Sequence, residues 1–210
     1  MIHIRIGLDP CNAAVQRDLA DVYALHRRVM SLFPPQLPPD ERILFRLERS
    51  AGWASLVIQS LITRPGWAGP LHPLVIEVEP DYHAGQSLAF RLVANPTRRD
   101  GDRGPRVAVE GQGAWREWLA RKGDAAGFRV RDATVADLGT AVGYRPEPVA
   151  ARPIRLRLVQ FDGALEVTDP GRLATAVRHG IGSAKGFGCG LLSLGQTKSQ
   201  RVLRIGRLTY

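Results

Sequence analysis

The sequence predicts an α+β fold built from two tandem ferredoxin-like (βαββαβ) domains with antiparallel sheets. Three observations predict it. The chain opens with a segment of strand period followed at once by one of helix period. Two strand-like runs joined by a tight turn come next, with further strand-like runs behind them. The second half then repeats the order of strand, helix, strands, helix and strand, a repeat of elements and not of residue identities.

From Ile2 to Leu8, apolar Ile2, Ile4 and Ile6 alternate with His3 and Arg5, the pattern of a half-buried first strand that Asp9-Pro10 ends. Between Asn12 and Phe33, residues Val15, Leu19, Val22, Leu25, Val29 and Phe33 recur at spacings of three and four, which predicts one long amphipathic helix. Pro34-Pro35 and Pro38-Pro39 stop it in a rigid extended loop. Ile43 to Glu48 and Ala54 to Ile62 read as hairpin strands around Ser50-Ala51-Gly52. The Pro/Gly-rich stretch from Arg64 to Pro73 is where the second helix of the first unit would fall, and it is the weakest element. Leu74 to Val78 and Leu88 to Ala94 follow as strands, the second ending at Asn95-Pro96.

From Thr97 to Arg106 the chain carries Arg98, Arg99, Arg103 and Arg106 among Gly, Asp and Pro, the composition of a mobile loop between domains. The boundary is therefore expected there, with residues 1–96 in an N-terminal unit and 97–210 in a C-terminal one. The second unit reads as a strand at Arg106 to Val109, a helix from Gln112 to Lys122, and strands from Phe128 to Val135 and Ile154 to Phe161. Asp162-Gly163 reads as a turn into Leu165 to Thr168, Asp169 as the cap of a helix from Gly171 to His179, and Leu191 to Leu194 as the last strand.

Composition narrows the function. A hydrophobic content of 44% supports a real core. Lys and Arg number 29 against 20 Asp and Glu, for a net charge of +9, and the pI is near 10.5, as expected of a protein that meets polyanions. Most of the surplus is Arg, whose planar fork suits phosphates and base edges. Cys11 and Cys189 form no CxxC pair, so reduced thiols are expected and neither a disulfide framework nor a zinc site. The N-terminus has no signal-peptide layout and no apolar run approaches the ~20 residues of a membrane span, so a cytoplasmic protein without membrane association is expected. No histidines and carboxylates share a metal-ligand spacing and no GxSxG turn is present, which disfavours hydrolases of those kinds and leaves no metal or cofactor expected.

Three constellations carry possible chemistry. The run from Gly180 to Gly190 holds five glycines, at 180, 182, 186, 188 and 190, together with Lys185. Main chain so free of side chains suits close approach to a phosphate, although it is not a P-loop, and a flexible connection from helix to strand has the same composition. Tyr23 and His26 share a helix face, and an imidazole that titrates near neutrality can move the protons that RNA cleavage by its own 2′-hydroxyl requires. The same spacing belongs equally to an ordinary amphipathic helix, and the residues alone leave both readings open. Arg152, Arg155 and Arg157 alternate with Ile154, Leu156 and Leu158, a basic ladder that would track a phosphate backbone with Arg98 and Arg99, or merely keep a strand face solvated.

Three stretches resemble one family in order: Tyr23-Ala-Leu-His26 followed by Leu32-Phe33-Pro34, Phe90-Arg-Leu-Val-Ala-Asn-Pro96, and His179 through the glycine-rich run to Leu194. Together they resemble CasE, the CRISPR RNA endoribonuclease of type I-E systems, over most of the chain and only in outline from Thr97 to Arg152. The resemblance implies two ferredoxin-like domains and a metal-independent, sequence-specific endoribonuclease. It would bind the stem-loop of each repeat in precursor CRISPR RNA and cut at the 3′ base of the stem. The neighbouring 2′-hydroxyl would be the nucleophile, leaving a 5′-hydroxyl and a cyclic or open phosphate. The protein would then stay on its product as a Cascade subunit in antiviral defence, monomeric when alone. Carried over by position, His26 is the catalytic acid/base, Tyr23 its partner, and Lys185 with Gly182, Gly186 and Gly188 the RNA-facing loop. Arg155 and Arg157 fall in a basic RNA-contacting segment. The tail from Gln196 to Tyr210 extends past where some members stop, with Arg201, Arg204 and Arg207 as further RNA contacts or a strand. The alternative is a non-catalytic RNA-binding subunit of the same kind of complex, which needs neither Tyr23 nor His26.

Overall fold

The computed structural model describes residues 1–50, 52–62, 74–101, 104–146 and 153–196. Strand β1 (Ile2–Leu8) forms as its alternation dictates, with Ile2, Ile4 and Ile6 on a buried face. The predicted single helix is two: α1 (Ala13–Ala20) and α2 (Val22–Met30). The break is Asp21, whose backbone is extended (φ −132°, ψ 115°) and whose carboxylate accepts from Tyr23 N and Ala24 N. A side chain that competes for backbone donors starts a new helix there, while the apolar period runs on through the break. Leu25, Val29 and Phe33 pack on the isoleucines of β1.

Strands β2 (Leu44–Ser50), β3 (Trp53–Ser60) and β4 (Leu74–Glu77) complete the first sheet in the order β2-β3-β1-β4, every neighbour antiparallel. Registers such as Ile4 opposite Ile58 and Phe45 opposite Ile58 put one apolar face under α2. The stretch from Arg64 to Pro73 and the tail beyond Gln196 lie outside the described residues, as do Arg103 and Arg152.

The second sheet contains β5 (Ser87–Ala94), β8 (Phe128–Gly143), β9 (Ile154–Val167) and β10 (Leu192–Gln196), in the order β10-β5-β9-β8. Helices α3 (Gln112–Ala125) and α4 (Pro170–His179) cover one face. Numbered within each unit, both sheets have the order 4-1-3-2 of a split βαβ, so the two ferredoxin-like units stand as predicted.

The grouping of strands differs from the sequence reading. Leu88 to Ala94, expected to close the first unit, opens the second sheet: Leu92 lies opposite Phe161 on one side and Leu192 on the other. Its alternating Leu88, Phe90, Leu92 and Ala94 belong to the core with Trp118, Phe128 and Phe161. Arg106 to Val109, read as that opening strand, is β7 (Arg106–Ala108), paired with β6 (Thr97–Arg99) in a two-stranded ribbon. The stretch read as a mobile interdomain loop thus begins in one strand of this ribbon and ends at the start of the other. Trp118 Nε1 pins it by donating to Thr97 O at 3.2 Å, and Trp115 Nε1 by donating to Val109 O at 2.6 Å.

The expected turn at Asp162-Gly163 is the middle of one continuous strand. A Cβ on Gly163 would stand 1.9 Å from Asp132 O, where β8 bulges between Val130 and Asp132. The glycine serves that close approach, not a reversal. The units meet through a polar joint. Buried Arg46 on β2 donates to Leu191 O (3.3 Å) and Ser193 Oγ (2.9 Å) beside and on β10, and pairs with Glu48 at 2.7 Å. Gln59 Nε2 donates to Val177 O at 2.8 Å near the end of α4.

Candidate functional site

Leu25 and Val29 turn the apolar face of α2 inward, which leaves Tyr23 and His26 together on its flank. Both are half-buried, with ring centroids 6.3 Å apart and planes tilted by 46°. The other side of the imidazole faces the second unit: the ring of Phe187 lies 5.5 Å away, and Gly186 brings its backbone close enough that a Cβ would sit 3.6 Å from His26 Cε1 and Nδ1. His26 Nδ1 is buried and has no hydrogen-bond partner among the described residues.

The glycine-rich run is an ordered loop. Phe187 N donates to Ala184 O to close the 3₁₀ turn Lys185–Phe187, and Gly190 N donates to Val93 O on β5. Gly188 needs its composition twice over: it has φ +84°, and a Cβ would come within 3.2 Å of the Phe45 ring. Gly182 lies against Trp118, where a Cβ would come within 3.1 Å of the ring.

On the far side of Lys185 is a pocket of about 400 Å³ lined by Arg98, Arg99 and Arg106 of the ribbon, Lys122 of α3, and Lys185, with Thr97, Trp118, Gly182 and Ser183 completing the wall. Among the described residues no carboxylate lines it. Burial, followed by the like charges of Arg42 and Lys122, lowers the pKa of Lys185 below the ordinary lysine value. An anion entering this pocket would relieve that repulsion.

The structure thus gathers Lys185, Gly182, Arg98 and Arg99 around the pocket, and Gly186 with Tyr23 and His26 beside it. Arg155 and Arg157 do not line it. They share the helix-covered face of β9 with Val159 and Phe161; Arg155 is exposed, whereas Arg157 pairs with Asp137 and stacks over Trp115 at 5.8 Å. Lys122, Ser183 and Phe187 went unnoticed in the sequence. Lys122 was legible as a cation in the last turn of a helix; the contact of Phe187 with His26 was not, because no local pattern announces it. Among the described residues no group of three or more His, Cys, Asp or Glu is placed to hold a metal ion, and no helix is long and apolar enough to cross a membrane.

Fold and site define a class: tandem ferredoxin-like proteins that set an imidazole-bearing helix of one unit against a glycine-rich, cationic loop of the other. A family model described as CRISPR associated protein matches residues 1–196. The CRISPR-associated endoribonuclease Cse3 of Thermus thermophilus is 31% identical over 212 residues, covering 90% of this chain and 97% of that protein. The CRISPR system Cascade subunit CasE of Escherichia coli K12 is 30% identical over 190 residues, covering 83% and 92%. A solved structure of Cse3 bound to 19-nucleotide RNA superposes with a TM-score of 0.82 at 30% identity, over 93% of this chain and 100% of that one. The chain belongs to the CRISPR-associated protein family, in its CasE branch of type I-E systems.

Proposed function

We propose that this chain is a sequence-specific endoribonuclease that binds the repeat stem-loop of precursor CRISPR RNA, cuts at its 3′ base and stays bound as a cytoplasmic Cascade subunit. The relatives named for CRISPR endoribonuclease activity and for Cascade support that reading. The observation that carries it is the setting of His26: an imidazole held between Tyr23 and Phe187, beside a loop whose Lys185 faces a pocket in which every charged lining residue among those described is a cation.

RNA carries its own nucleophile, so the protein has to move protons and stabilise charge at phosphorus. His26 takes the proton of the 2′-hydroxyl or supplies one to the leaving 5′-oxygen, with the Tyr23 phenol beside the scissile phosphate. Lys185, Arg98 and Arg99 hold flanking phosphates, and Gly182, Gly186 and Gly188 let the loop close on them. Arg155 adds an exposed cation to the RNA path; Arg157 contributes once its pairing with Asp137 opens, and Arg152 extends the same segment. Cleavage is metal-independent and leaves a 5′-hydroxyl with a cyclic or open phosphate. The first unit, β1 to β4, brings the imidazole; the second, from β5 onward, brings the cations. Sheet membership favours a boundary between Glu77 and Ser87 over one at residue 96.

The test is cleavage and binding of the cognate repeat hairpin by wild type and His26→Ala, each with and without a chelator. The expected result is binding kept, cutting lost in the variant, and no effect of chelator on wild type. Cutting unchanged in His26→Ala sinks the catalytic assignment. Loss of wild-type cutting with chelator sinks metal independence, and an intact hairpin after incubation with wild type identifies a non-catalytic RNA-binding subunit instead.

A further inference from the structure

Three backbone donors converge on Asp21. Its carboxylate caps α2 by accepting from Tyr23 N at 2.7 Å and Ala24 N at 3.1 Å. It also accepts from Tyr144 N at 3.1 Å, directly after the end of β8 in the second unit. Capping the helix needs only the first two contacts. The third is a tether between units.

Gly143, the last residue of β8, makes room for it. A Cβ there would stand 2.7 Å from Val22 Cγ2, 2.8 Å from Tyr23 N and 3.0 Å from Asp21 Oδ1. Absence of a side chain and presence of a carboxylate thus press the end of β8 against the first turn of α2. That turn carries Tyr23 and leads into His26, whose opposite side meets Phe187. Leu25 and Val29 fix the helix within the first unit. They leave its placement toward Lys185 and the basic pocket to contacts that cross between units.

We propose that Asp21 is a positioning residue for cleavage: through its bond to Tyr144 N it sets the Tyr23–His26 face of α2 at working distance from the cationic loop of the second unit. The inference rests on the reading of His26 as the acid/base. Proton transfer requires heavy atoms about 2.6–3.2 Å apart. A displacement of about 1 Å costs up to a hundredfold in rate. RNA binding, by contrast, spreads over cations that do not move with α2, so loss of the tether separates rate from affinity.

The experiment measures single-turnover cleavage and equilibrium binding of the cognate repeat hairpin for wild type, Asp21→Ala, Asp21→Asn, Tyr144→Pro and His26→Ala. Tyr144→Pro removes the tethering N–H and leaves both capping donors in place, so it carries the test even where Asp21→Ala fails to fold. Asp21→Ala and Tyr144→Pro are expected to slow cleavage tenfold to a hundredfold, about the range a misplaced catalytic group produces, with Kd changed by less than about twofold. Asp21→Asn keeps one acceptor at the Oδ1 position, which caps α2 and also lies 3.3 Å from Tyr144 N, and is expected to recover part of the rate. Normal cleavage by Tyr144→Pro, affinity falling in step with rate, or Asp21→Asn no better than Asp21→Ala would each overturn the proposal. If His26→Ala cuts at the wild-type rate, the reading of the site falls. If His26→Ala is inactive while Tyr144→Pro cuts normally, only the positioning role falls.

Discussion

At Lys185 two effects act against the charge, burial first and then the like charges of Arg42 and Lys122. A lysine whose folded pKa is lowered binds fewer protons than the unfolded chain between that value and 10.5, so its contribution to stability rises with pH across that window. The grip on RNA proposed for it changes in the opposite sense. Affinity of the wild type is expected to fall on raising the pH before that of Lys185→Arg does, as a binding titration at fixed salt would read. Lys185→Ala should reduce the slope of log affinity against log salt by about one. An unaltered slope would remove Lys185 from the phosphate contacts. Among single residues, the pairing of Tyr23 with His26 was legible because three positions along a helix are neighbours in space. Phe187 was not, since its contact with His26 arises only when the two units close.

Elements were legible in kind and less so in extent. Strand and helix periods located β1, β5, α3 and α4 within a few residues, and Asp169 caps α4 by accepting from Arg172 N at 3.0 Å, as its position suggested. Asp169→Ala should therefore lower stability by about 1 kcal/mol in urea unfolding. The break at Asp21 escaped the prediction of one long helix because the apolar period runs on through it. Gly163 misled in the other direction. Asp-Gly is a strong hairpin signal, yet here the glycine faces the Asp132 carbonyl at a bulge and the strand continues. Gly163→Ala is expected to destabilise by about 3 kcal/mol, because a backbone oxygen cannot move aside as a flexible side chain can. A urea midpoint equal to wild type would show that the bulge yields more easily.

Over the whole molecule the grouping of strands was beyond a periodicity argument. An alternating run such as Leu88 to Ala94 says that one face is buried and is silent about which of two cores buries it; that depends on partners far along the chain, in β9 and β10. The joint between the units is polar, which no apolar pattern marks. Burial pushes the Glu48 carboxyl up, but the hydrogen bond from Arg46 and the charges of Arg46, Arg5 and Arg91 outweigh it and hold the group below the ordinary glutamate value. A depressed carboxyl stabilises the fold above its unfolded pKa, and that contribution is lost as pH falls through the folded one. The Tm of the wild type is thus expected to drop on acidification below about pH 4.5, more steeply than that of Glu48→Gln. Arg46→Ala, which leaves the buried Leu191 carbonyl without this donor and takes one of three cationic partners from Glu48, should cost about 3 kcal/mol in urea unfolding.

The strand order also sets a calendar for synthesis. All four strands of the first sheet lie before Val78, whereas β5 must wait for β9 and β10 before its core can close. His26 therefore leaves the ribosome early, and Phe187 with the 3₁₀ turn arrives more than a hundred residues later. A half-made polypeptide holds the imidazole without the Phe187 ring that flanks it in the finished fold. On the role proposed for His26, transcripts crowded around the translating ribosome, its own message among them, meet no finished blade until the second unit has closed.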